Sequence, residues 1–96
     1  PPFGRLAALI VSGNDGDAVA QTARDLANGA PTGKRVRVLG PAPAPLALLR
    51  GRHRWRLLLK VDRGISIQDV LRDWLPRIPV PNPVRVHVDV DPHSFL

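Results

Sequence analysis

Residues 50–61, RGRHRWRLLLKV, decide the fold, because their alternation divides one strand between two unlike faces. From Arg52 onward, side chains two apart share a face. His53, Trp55, Leu57, Leu59 and Val61 therefore lie on one side, and Arg52, Arg54, Arg56, Leu58 and Lys60 on the other. The apolar set must be covered by a second layer, so the arginine row is expected on an open sheet face. Like charges ~7 Å apart on one face repel one another. A partner of opposite sign would offset that cost. Trp55 shares parity with the leucines, which favours core packing over base stacking.

Towards the N-terminus, GPAPAPLALLRG (40–51) reads as a stiff, proline-spaced connection that cannot pair inside a sheet. Residues 35–39, RVRVL, alternate as a strand before it. Residues 5–12 form an apolar run closed by Gly13, expected to be a buried strand. Leu6, Ala8 and Ile10 on one side and Ala7, Leu9 and Val11 on the other make it apolar on both faces. Between these strands, residues 14–17 (NDGD) supply turn and N-cap chemistry. Val19, Ala23, Leu26 and Ala27 then share a helical face, which Asn28-Gly29 ends.

On the C-terminal side, residues 66–69 (SIQD) resemble a capping box, with Asp where Glu or Gln is usual. Ile67, Val70, Leu71, Trp74 and Leu75 form one helical stripe. Residues 76–83 make a proline-rich loop, and residues 84–90 (VRVHVDV) alternate as the last strand. The order β-α-β-β-α-β predicts an α+β fold of ferredoxin-like, split βαβ type. Its antiparallel sheet carries both helices on one face, with the first and third strands central.

Composition narrows function. Ninety-six residues suit a single domain able to bury roughly 60–65% of its unfolded surface. Without cysteine there is no disulfide, thiolate ligand or thiol nucleophile. No apolar run approaches the ~20 residues of a membrane span. Pro stands at position 1 and Met is absent, so a fragment of a longer chain is expected. The net charge is +6, and it is localised: residues 34–63 hold nine basic residues and one acid, Asp62. Elsewhere five Arg face seven Asp. Such a footprint suits an anionic partner better than general solubility.

Catalytic motifs fail on inspection. GAPTGKR (29–35) has the wrong spacing for a phosphate loop, lacks Ser or Thr after Lys34, and follows a helix. His53, His87 and His93 are scattered, with His53 expected in the core, so neither a triad nor a zinc site is built. Asp89 and Asp91 share a strand face and would more readily end the strand before an Asp-Pro turn than hold a cation. The glycine-bounded loop of acylphosphatases, which share the plan, does not follow the first strand.

PPFGRLAALIVSG (1–13), VLGPAPAPLALLRGRHRWRLLLK (38–60) and VDVDPHSFL (88–96) resemble the C-terminal domain of the primosomal protein N′ (PriA) family, bacterial replication-restart DNA helicases. The resemblance covers nearly the whole chain, and its central block is the specific part. It implies a domain like a small ribosomal-subunit protein of βαββαβ plan, at the end of a cytoplasmic, nucleoid-associated, ATP-dependent 3′-to-5′ helicase. ATP and zinc would belong to the parent chain, and no cofactor to this part. It further implies contact with branched or single-stranded DNA, with other primosome proteins and with the acidic tail of single-stranded DNA-binding protein. By motif position, Arg52 is the arginine implied at the tail contact. Arg56 occupies a place where a relative has glutamine.

The leading expectation is a non-catalytic DNA-binding and protein-docking domain. Arg52, Arg54, Arg56 and Lys60 would meet DNA, joined by Arg35 and Arg37 on the neighbouring strand, while Arg52 and Arg56 would meet the protein tail. The alternative is a structural domain that packs on and orients the helicase core without touching DNA. A free-standing enzyme is disfavoured for want of any reactive constellation.

Overall fold

The computed structural model describes residues 3–91; Pro92 and His93, part of the terminal signature, lie outside them. It is a small α+β domain of four antiparallel strands and two helices. The elements run β1 (Phe3–Gly13), α1 (Gly16–Asn28), β2 (Val36–Leu49), β3 (Arg52–Asp62), α2 (Ile67–Trp74), a 3-10 turn (Leu75–Arg77) and β4 (Arg85–Val90). The sheet order is β2-β3-β1-β4, so β1 and β3 are central, as their apolar sequences require.

One sheet face and both helices form the core. Ala7, Leu9 and Val11 of β1 and Leu57, Leu59 and Val61 of β3 are fully buried against Val19, Ala23 and Leu26 of α1 and Ile67 and Trp74 of α2. Trp55 packs against this cluster from its rim and is half-buried. Asp15 caps α1, its carboxylate accepting from Asp17 N–H at 3.0 Å and Ala18 N–H at 3.3 Å. Ser66 caps α2 by accepting from Asp69 N–H at 3.2 Å. The Asp69 carboxylate is too short to close the reciprocal half of the box and accepts from Arg72 instead. The Trp74 indole N–H donates to the Leu26 carbonyl at 3.1 Å, fastening α2 to α1 and leaving no polar atom of that side chain unpaired.

One expectation is corrected. Residues 40–49 do not form a connection outside the sheet; they extend β2 to Leu49, paired with β3 in two further stretches. Ala42 pairs with Arg56, Pro43 with Trp55, Leu48 with His53 and Leu49 with Arg52, with irregularities between Leu39 and Ala42 and between Pro43 and Leu48. The Asp62 N–H donates to the Arg35 carbonyl, so even-numbered residues of β3 turn their backbone groups towards β2. Pro43 stands opposite odd-numbered Trp55, and its missing donor falls on the free side of an edge strand. Pro41 and Pro45 sit within the irregularities, the other place a sheet accepts proline. Gly40 is required at the first: φ is +97°, and a Cβ would lie 2.8 Å from the Arg56 carbonyl oxygen. The hairpin then closes through Arg50 and Gly51, with φ of 52° and 79°, the two left-handed residues of a tight two-residue turn.

Candidate functional site

The alternation of β3 does separate core from open face. Arg52, Arg54, Arg56, Leu58 and Lys60 are half-buried on the face away from the helices. Strand register arranges this face in rows. Leu39, Leu58 and Ala8 lie side by side at its centre, ending at Asp89. Arg37, Lys60 and Leu6 form the row on one side. Ala42, Arg56, Ile10 and His87 form the row on the other, followed by Arg54, Ser12 and Arg85. The face is thus an apolar band framed by cations at both ends, rather than a uniform basic surface.

The basic residues differ in how firmly the fold holds them. Arg54 donates from Nη1 to the Pro45 carbonyl at 2.7 Å and to the Leu46 carbonyl at 3.3 Å. It bridges the arch that β2 makes between Pro43 and Leu48, where Leu46 has a φ of 55°. Arg52 donates from Nη2 to Ser12 Oγ at 3.0 Å, which holds one end of its planar fork towards β1. Arg35, just before β2, donates to the Arg63 carbonyl at 2.7 Å and lies 3.9 Å from the Asp62 carboxylate. Arg37 and Arg56 have no side-chain hydrogen bond or ion pair among the described residues and keep their full donor sets. Lys60 stands in register between Arg37 and Leu6.

One feature escaped the sequence reading. Arg85 reaches the same face from β4, in the row of Ser12 and Arg54; its place in VRVHVDV was a signal for it. The hairpin end exposes Leu46 (68%), Leu48 (61%) and Leu49 (43%) beside Arg50 and Arg52, an apolar and basic tip. His53 lies on the core side but only half-buried, short of the core position expected, its ring packed over Gly16 at the start of α1. Asp91 is engaged at the β1–β4 end, accepting from Leu6 N–H at 3.1 Å and Arg5 Nε at 2.9 Å. Those two donors, the backbone N–H first, hold its carboxyl below the ordinary 3.8. Among the described residues no group of three His, Cys, Asp or Glu is placed to hold a metal ion, and no helix is long and apolar enough to cross a membrane.

Known proteins match this chain along its length. The profile of the primosomal protein N C-terminal domain matches residues 1–93. The replication restart protein PriA of Rickettsia felis is 35% identical over 95 residues, covering 99% of this chain and 14% of its own length. That of Synechocystis is 36% identical over 97 residues, covering 99% of this chain and 11% of its own. The probable replication restart protein PriA of Deinococcus radiodurans is 34% identical over 102 residues, covering 98% and 10%. This chain therefore spans about a seventh or less of these relatives. A match of such extent shows that the chain belongs to the primosomal protein N C-terminal domain family.

Proposed function

We propose that this chain is a non-catalytic DNA-binding and protein-docking domain of a replication-restart helicase. It would contact branched or single-stranded DNA and the acidic tail of single-stranded DNA-binding protein. The strand order β2-β3-β1-β4, with both helices in one core, supports reading the fold as the split βαβ, ferredoxin-like plan. The observation that carries the functional reading is the open face, where Arg37 and Arg56 keep unengaged guanidinium groups beside an apolar band. Phosphates along a strand would meet these cations without base-specific contacts, and bases would rest on Leu58 and Ile10.

Titration with single-stranded, duplex and forked DNA at two salt concentrations tests this. Each phosphate neutralised on a single strand contributes roughly −0.7 to the slope of log K against log salt. The Arg37→Ala/Arg56→Ala variant should lose up to about 1.4 units of slope. An unchanged slope would remove DNA from this face. For the protein tail, an acidic peptide with a free carboxylate should shift resonances around Arg52 and the Leu46–Leu48 tip. Arg52→Ala should weaken it more than Arg24→Ala on α1, and Arg52→Lys should rescue only part, because lysine lacks the fork.

The alternative, packing on the rest of a parent chain, is favoured by the central band, where Leu39 is 37% exposed beside Leu58 and Ala8. Absence of salt-dependent DNA binding by the chain would select it.

A further inference from the structure

The β4 edge carries a charge pattern that matches itself. The Asp91 N–H donates to the Leu6 carbonyl at 2.7 Å, which places the backbone groups of Arg85, His87 and Asp89 towards β1. Those of Val86 and Val88 consequently point outward, and among the described residues no strand lies beyond them. Arg85 and Asp89 are exposed, and neither has a hydrogen bond or ion pair among the described residues. Val86, Val88 and Val90, on the core side of the strand, are only half-buried.

We propose that β4 pairs antiparallel with β4 of a second copy of this chain, about a two-fold axis through His87. Charge selects the register. Centred on Val86, the pairing would set Arg85 against His87 of the other copy. Centred on Val88, it would set His87 against Asp89, and Arg85 against an Asp91 whose carboxylate is already taken by Arg5 and the Leu6 N–H. Centred on His87, it sets Arg85 against Asp89 twice, in the non-hydrogen-bonded positions where side chains approach most closely. The same register bonds Val86 to Val88 across the axis and continues the apolar inner face from one sheet into the next. Pro83 before the strand and the left-handed Asp91 after it, with a φ of 51°, limit the pairing to the six residues of β4. A two-fold contact of this kind closes on itself and gives a dimer, not a fibre.

Sedimentation of the 96-residue chain at low salt, over a range of concentrations, tests this pairing. A dimer that dissociates on dilution is expected, with Val86 and Val88 amides gaining exchange protection as concentration rises. Arg85→Asp alone and Asp89→Arg alone place like charges opposite each other at both positions and should weaken association at least about tenfold. An equimolar mixture of the two single variants restores complementary pairs and should regain the dimer, as should the double variant Arg85→Asp/Asp89→Arg. Recovery in the mixture also shows that each variant has folded. A monomer at every concentration, single variants that associate like the parent, or a mixture that stays monomeric would each overturn the proposal.

Discussion

Along β2, proline interrupts the outer edge at residues 41, 43 and 45, and the strand arches away between Pro43 and Leu48. Along β4, six residues run without proline, and their outward backbone groups belong to valines. An open edge is a template for another chain, and proline, bulges and charge are the usual ways to blunt it. The longer edge is blunted by missing donors and irregular register. The shorter one is marked only by Arg85, His87 and Asp89, which discriminate between partners instead of refusing all of them. Length and protection thus vary together, and edge chemistry separates a surface that avoids strand pairing from one that selects it.

The largest test of this contrast removes what both edges share. Trp74→Ala opens a cavity beneath the sheet and leaves the Leu26 carbonyl without its indole donor. Loss of a core tryptophan costs about 3–5 kcal/mol, comparable with the whole stability of a small domain. Chemical denaturation should show the cooperative transition greatly shifted or lost. A variant with well-dispersed amide resonances and a near-parental midpoint would mean that the core is not seated on this residue.

Arg54→Ala should separate the edges. It removes the donor to the Pro45 and Leu46 carbonyls and should cost about 1–2 kcal/mol. Hydrogen exchange should accelerate in residues 42–49 and stay unchanged in β4. Uniform acceleration through both strands would show that the arch is not a local unit held by this guanidinium. The same variant shows why loss of DNA binding on removing Arg54 would be ambiguous, whereas Arg37 and Arg56 are free of that structural duty.

The smallest effect concerns acid. Because the folded state lowers the Asp91 pKa, its contribution is fully present above the unfolded value near 3.8 and is lost as pH falls through the folded value. The side chain is exposed, so the effect is modest and local to the β1–β4 end. Exchange protection of the Leu6 and Asp91 amides should fall over that acidic range in the parent. In Asp91→Asn this step should disappear; an identical acid response would assign it to another carboxylate.

Much of this arrangement was legible as period. The strict alternation of 52–61 placed both faces of β3 correctly, that of 84–90 located β4, and the 67–75 stripe located Trp74. The extension of β2 was not legible, because proline reads locally as a sheet breaker. Its tolerance depends on β2 being an edge, which only the assembled strand order decides. The hairpin turn carried little signal, because Gly51 suits a left-handed position but Arg50, at φ 52°, does not. The division of labour among the arginines was also hidden: Arg54 and Arg56 are alike in sequence, yet only one stands beneath an arch with carbonyls to bind.

The hairpin of β2 and β3 has a mechanical consequence. β3 runs without a break from the exposed tip at Arg52 to Asp62, bonded to β1 along one side and β2 along the other. A load applied at the tip along the strand would therefore act on many ladder bonds in parallel, as shear, and not open them one at a time. Whatever grips Leu46, Leu48 and Arg52 thereby holds the centre of the domain. Tension would pass directly into its stiffest element, so the tip can serve as an anchorage as well as a contact.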